Sequence, residues 1–203
     1  MRRHFFLCKM KITKSIFLFL ILVFPVLIYL FLQGFGKNEF TIPVYYPSGI
    51  TLPQAGCTSS VLDQVYQTDR TVLRELLGVE VPQDQITVYE LGNAKSDQIR
   101  NNLYTFLEKY KGREDISLVS IRKSNDTVFA PTRYDFWKRY NLPDSNFMRL
   151  GRCILQLDLN QQFEADSGLV LVDQKQQIRG YYDPMILKEI DRLNTELYIL
   201  LSE

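Results

Sequence analysis

The sequence predicts an α/β domain behind one N-terminal apolar helix. Three observations carry this: an uncharged apolar run near the start, a strand–helix–strand pattern in mid-chain, and two adjacent strands followed by a long amphipathic helix at the end.

The apolar run, Ser15 to Leu32 (SIFLFLILVFPVLIYLFL), contains no charged residue. As a helix rising about 1.5 Å per residue it covers roughly 27 Å, close to the hydrocarbon thickness of a bilayer. Pro25 is tolerable there because backbone groups freed by a kink can be re-satisfied locally in lipid, and Tyr29 sits near the outer end, where interfacial aromatics gather. Arg2, Arg3, Lys9, Lys11 and Lys14 precede the run, and no Asp or Glu occurs before Glu39. Basic flanks stay in the cytoplasm, which places the rest of the chain outside it. The competing reading is a cleaved secretory signal, but Leu32-Gln33-Gly34-Phe35-Gly36-Lys37 offers no small-x-small cleavage site and the run is long for a signal core. The expected organisation is a cytoplasmic tail over 1–14, a transmembrane helix over 15–32, an extended linker over 33–60 and the folded domain over 61–203. The expected location is therefore a cell membrane, with a single pass and the domain on the periplasmic side.

The chain has 24 basic and 23 acidic residues, five of the basic ones in the tail, so the remainder carries 19 against 23, a net of 4 negative. A mildly acidic domain without a basic stripe is a poor nucleic-acid binder, and nucleic acid drops out as a partner. About 170 residues beyond the run suit one domain with one core.

Between Phe35 and Ser60, Pro43, Pro47, Gly49, Pro53 and Gly56 interrupt β-branched and aromatic residues, the composition of an extended segment that lies on the domain as one or two short strands. Ile86 to Leu91 (ITVYEL) reads as a strand closed by Gly92-Asn93. Ser96 can cap a helix with Ile99, Leu103, Phe106, Leu107 and Tyr110 on one face and Gly112 as its stop, and Ile116 to Ile121 (ISLVSI) is the next strand. This is a βαβ unit, which implies parallel strands. Arg133 to Tyr140 (RYDFWKRY) reads as a short helix ending before Pro143, Phe147 to Leu150 as a brief strand, and Arg152 to Leu159 as a short helix or turn. Gly168 to Val172 and Gln177 to Tyr182, joined by Asp173-Gln174-Lys175-Gln176, form an antiparallel hairpin. Asp183 can cap the last helix, Pro184 suits its first turn, and Ile186, Ile190, Leu193, Leu197 and Leu201 form its apolar stripe. Strand, helix, strand, helix, hairpin, helix is the order of a thioredoxin-like domain.

The stretch Ser167 to Asp183, SGLVLVDQKQQIRGYYD, resembles the closing hairpin of the Sco/SenC family (synthesis of cytochrome c oxidase), membrane-anchored thioredoxin-fold proteins outside the cytoplasm. Weaker similarity runs through Ser117 to Ile121, the Asp126 region, Trp137 and Tyr140, so that it covers about Ile86 to Leu201. The resemblance implies copper handling or thiol redox chemistry in respiratory oxidase assembly, performed through a Cys-x-x-x-Cys-Pro motif after the first core strand and a histidine before the hairpin. Here Leu91-Gly92-Asn93-Ala94-Lys95-Ser96-Asp97 has no cysteine, Asp166 precedes Ser167 where the histidine is expected, and the only histidine is His4 in the tail. A soft copper ion needs thiolate and imidazole, and a redox cycle needs two nearby thiols. The chain is accordingly expected to be a degenerate, non-enzymatic member without a cofactor, acting on an extracytoplasmic protein partner.

Other candidates are weighed on the same residues. Cys57 and Cys153 are the only thiols outside the tail. They read equally well as a disulfide or as one exposed and one buried cysteine, and they are the remaining metal candidates if they converge. Asp166 is a candidate vestigial contact, with a solvated loop carboxylate as the plainer reading, and Asp173 reads as a turn residue. Tyr134, Phe136, Trp137 and Tyr140 with Arg133, Lys138 and Arg139 read as an interaction surface or as the core face of a short helix. No Ser-His-Asp set or Gly-rich phosphate loop is present in the domain's sequence. A generic envelope scaffold is the remaining alternative.

Overall fold

The computed structural model describes residues 2–35, 41–57, 63–82, 84–92, 97–124, 134–159 and 168–202. The chain divides into two units, Met1–Thr41 and Ile42–Glu203.

In the first unit, residues 2–35 form one helix, α1 (Arg2–Phe35), continuous through Pro25. Its described apolar side chains, among them Phe17, Leu18, Leu22 and Phe31, are exposed. They span 17–31, and among the described residues no helix is long and apolar enough to cross a membrane.

In the second unit the elements follow as α2 (Arg70–Leu77), β1 (Ile86–Leu91), α3 (Asp97–Lys109), β2 (Ile116–Lys123), β3 (Trp137–Leu142), α4 (Asp144–Met148), a π-helical turn (Arg149–Ile154), β4 (Leu169–Val172), β5 (Ile178–Tyr182) and α5 (Leu187–Leu200). One five-stranded sheet has the order β3-β2-β1-β4-β5. β1, β2 and β3 run parallel, while β4 pairs antiparallel with both β1 and β5. This mixed α/β arrangement is consistent with a thioredoxin-like fold. All six residues of β1 are buried, as expected of a central strand covered on both faces.

Alternation along the strands builds two cores. Tyr89, Leu91, Val119, Ile121, Val170 and Val172 face α2, α4 and the π-helical turn. Ile86, Val88, Ile116, Leu118, Leu169 and Leu171 face α3 and α5, which contribute Leu103, Phe106, Leu107, Ile190, Leu193 and Leu197. The predicted βαβ unit and hairpin are both present. A bulge in the hairpin, where Leu171 pairs with Gly180 but Val172 with Ile178, leaves Arg179 as the extra residue.

Four local expectations are corrected. The segment read as a helix over 133–140 supplies β3 instead. Tyr134, Trp137 and Tyr140 mimic a helical period, but the ladder to β2 places Trp137 opposite Leu118 and Tyr140 opposite Ile121, on opposite faces. The expected strand at Phe147 is helical: Pro143 is the N-cap of α4, and the chain continues straight into the π-helical turn. The last helix begins at Leu187, not at Pro184. The Asp183 carboxylate accepts from Met185 N in the turn before it, and Ile186 is half exposed rather than part of the buried stripe. Finally, α2 went unread, although Asp69 accepts from Thr71 N and Val72 N at its start and Gly78 ends it in the left-handed region.

Segment 41–57 forms no strand; it lies as a strap along the edge strand β5. Tyr45 N donates to Ile178 O at 2.9 Å, Tyr66 N returns to Tyr46 O at 3.0 Å, and Thr68 N reaches Gln176 O at 2.8 Å. Arg179 ties the strap's start by donating to Ile42 O at 2.9 Å while paired with Asp173, also at 2.9 Å. Covering the outer side of β5 removes one open sheet edge.

Candidate functional site

In open α/β sheets, ligands are met beyond the carboxyl ends of parallel strands. Here that pole is the end of β1, where three segments close on Leu91. Leu91 N donates to Gly168 O at 2.8 Å, and a Cβ on Gly168 would lie 3.0 Å from Leu91 O, so glycine permits the approach. From the other face the π-helical turn comes down: a Cβ on Gly151 would meet Leu159 Cδ1 at 2.5 Å and Leu91 Cδ2 at 3.2 Å. π-Helical turns of this kind are frequent at functional positions.

Beneath this pole, on the α3 face, lies a buried polar group that the sequence reading missed. Glu90 Oε1 and Arg122 Nη2 are 2.8 Å apart, with side chains 2% and 7% exposed, and Trp137 Nε1 donates to the buried Ser120 Oγ at 2.8 Å. Arg139 stacks over the Trp137 ring at 4.7 Å. The available signal was one Glu and one Arg inside otherwise apolar strands, which calls for partners at such burial.

On the opposite face the two outer cysteines converge. Cys57, in the strap, and Cys153, in the π-helical turn, form a disulfide with Cα atoms 5.2 Å apart across a sequence separation of 96. Of the two readings the sequence left open, a disulfide or two unrelated cysteines, the structure has the disulfide. Around the bond, polar side chains cap the carbonyls at the end of the π-helical turn. Tyr66 Oη donates to Ile154 O at 2.9 Å and Cys153 O at 3.1 Å, Tyr181 Oη to Leu155 O at 3.1 Å, and Gln54 Nε2 to Leu157 O at 3.1 Å. Burial pushes the Tyr66 phenol up to about 12. The Tyr181 phenol is raised further, first by burial and then by its hydrogen bond to Tyr46.

Of the remaining candidates, Asp166 lies outside the described residues, as do Ser167 and 93–96. Asp173 closes the hairpin turn, accepting from Gln177 N, and is itself buried against Arg179 at the far end of β4 from Gly168. The aromatic group is split by β3: Tyr134 is buried and bonded to Glu108, Trp137 packs edge-on to Tyr104 at 5.9 Å, and Tyr140 lies on the other face. Arg133 falls outside the described residues.

Among the described residues no group of three or more His, Cys, Asp or Glu is placed to hold a metal ion. Among the described residues, the two cysteine sulfurs of the second unit are bonded to each other, and a disulfide is not a thiolate donor for copper.

The fold and this pole define a disulfide-bearing α/β domain with a mixed sheet. In structure the chain is similar to BsSco, a member of the Sco family of cytochrome c oxidase assembly proteins, at 13% identity and a TM-score of 0.47, covering 63% of this chain and 83% of that one. It is also similar to a SCO1/SenC family lipoprotein from Bacillus anthracis, at 13% identity and a TM-score of 0.40, covering 55% and 83%. No protein-family model and no curated protein matches the sequence.

Proposed function

We propose that this chain is a membrane-anchored, extracytoplasmic Sco/SenC-like protein that works by binding a partner, in respiratory oxidase assembly or copper handling, and performs no catalysis of its own. The observation that carries the reading is the placement of the cysteines. The stretch after β1, where the resemblance expects the thiol motif, contains none, and the domain's two cysteines are bonded to each other between strap and π-helical turn. The scaffold is kept while the reactive thiols at its usual position are gone. The anchor reading rests on the 15–32 run, the basic tail and the continuous helix α1. In the host, deleting the chain should lower the amount of assembled haem–copper oxidase, and added copper should not restore it. An unchanged oxidase level would refute the reading.

The convergence of Cys57 and Cys153 favours one second reading, a thiol or copper-binding protein using that pair. A competition titration of the reduced full-length chain against a strong Cu(I) chelator separates the two. The first reading expects all copper on the chelator. A one-to-one complex that survives the chelator and vanishes in Cys57→Ser or Cys153→Ser would establish the second.

A further inference from the structure

We propose that the Cys57–Cys153 disulfide is a reducible latch: thiol–disulfide exchange with a partner dithiol frees the tip of the strap and uncovers the turn beside the end of β1, leaving the rest of the domain folded.

The strap is held in two unlike ways along its length. Its base is built into the core. Ile42, Ile50, Tyr66 and Thr68 are all buried, and the backbone bonds from Tyr45 to Ile178 and from Thr68 to Gln176 fasten it to β5 and the hairpin turn. Its tip is different: none of residues 51–57 is buried, and Leu52 is 89% exposed. Among the described residues, two ties to the body remain there, the disulfide and the Gln54 bond to Leu157 O. A single side-chain hydrogen bond at a part-exposed site contributes little net free energy against the entropy of an ordered loop. The covalent bond is therefore what keeps the tip down.

The other half of the latch stays in place without it. Gly151, Ile154 and Leu155 are buried, and Tyr66 and Tyr181, from the strap base and β5, hold the carbonyls of residues 153 to 155. Opening is thus one-sided, and what it uncovers is the 153–157 turn next to Gly151, against whose backbone Leu159 and Leu91 pack.

Both cysteines are only partly buried, and Ala55 and Gly56 beside Cys57 are exposed, so the bond is reached most readily from the Cys57 side. Attack there forms a mixed disulfide and breaks the Cys57–Cys153 bond, with Cys153 leaving as a thiolate that takes up a proton. The partner's second thiolate then attacks the partner sulfur of the mixed disulfide and releases Cys57 as a thiol. The strap disulfide gains two electrons and two protons, and the partner dithiol is oxidised to its own disulfide.

The latch does not depend on a role in oxidase assembly, so the two ideas fail separately. The test uses full-length protein in nanodiscs, with dithiothreitol as the dithiol. Maleimide labelling without denaturant should count Cys57 and Cys153 as reduced. Hydrogen exchange over the first minutes should show loss of protection confined to 51–57, with 153–157, β1, β2 and β4 still protected, and the Cys57→Ser/Cys153→Ser chain should give the same map without reductant. A disulfide that dithiothreitol reduces only in denaturant, an exchange map unchanged by reduction, or protection lost throughout the sheet would each overturn the proposal.

Discussion

Replacing both Cys57 and Cys153 by serine tests how far the disulfide supports the whole domain, separately from its local effect on the strap. The bond closes a loop with a sequence separation of 96, which contains α2, β1, α3, β2, β3 and α4. In the chain-entropy treatment, cross-linking a loop of this length destabilises the unfolded chain by about 4.7 kcal/mol near room temperature. Serine is close in volume to cysteine and both positions are part-exposed, so cavity and burial terms add little. A domain of ordinary stability, about 5–15 kcal/mol, survives such a loss but with a narrow margin. At about 2–4 °C per kcal/mol for a domain of this size, the midpoint should fall by roughly 10–19 °C. The assay is thermal unfolding followed by near-ultraviolet circular dichroism on the full-length chain in detergent, with the reduced wild type as a control that should match the double variant. Equal midpoints for the oxidised wild type and the double variant would show that the unfolded chain gains nothing from losing the cross-link, and the argument would fail.

Three further outcomes are expected. A reporter active only outside the cytoplasm, fused after Glu203, should be active, because all five charges before the 15–32 run are basic; activity of a cytoplasm-only reporter at that position would reverse the topology. Leu193→Asp should cost about 3–5 kcal/mol in urea unfolding, because Leu193 is 1% exposed between α5 and the sheet and an unpaired carboxylate there has no partner; an unchanged urea midpoint would mean that α5 is not part of the core. Alkali should unfold the domain through its tyrosines. Burial raises Tyr66 and Tyr110 to about 12, above the unfolded value near 10, so the folded state favours the neutral phenols. Their contribution is complete below about pH 10 and is lost as pH climbs towards about 12, so tyrosinate absorbance and loss of tertiary dichroism should rise together in that window. Complete ionisation with the dichroism intact would contradict this.

The parts of the fold that could be read from the chain are those where period and burial agree. β1 and β2 are apolar runs closed by turn residues, α3 repeats its apolar positions every three or four residues, and Leu193 and Leu197 mark α5 before any contact is known. β3 could not be read that way. The spacing of Tyr134, Trp137 and Tyr140 fits a helix, and only the free side of β2, seen in the assembled sheet, makes a strand the better partner. The convergence of Cys57 and Cys153 is a property of long-range packing, since two cysteines so far apart carry no local sign of pairing. The strap was legible as an extended segment lying on the domain, but its lack of a strand and its fastening through Tyr45, Tyr66 and Thr68 were not. At the pole itself, the absence of the expected cysteines after β1 was legible; the polar pair beneath it was not.

That pair, Glu90 and Arg122, restricts how this sequence can drift. Removing Arg122 takes away the guanidinium paired with the Glu90 carboxylate in the core, at about 3–5 kcal/mol, a loss that a domain of ordinary stability bears poorly. Exchanging both for well-packed apolar residues is, by contrast, about neutral or favourable by 1–4 kcal/mol. An apolar solution is therefore hard to reach by changing Arg122 first. Among relatives of this chain, a lineage that keeps Glu90 without Arg122 should therefore carry another cationic group in contact with it.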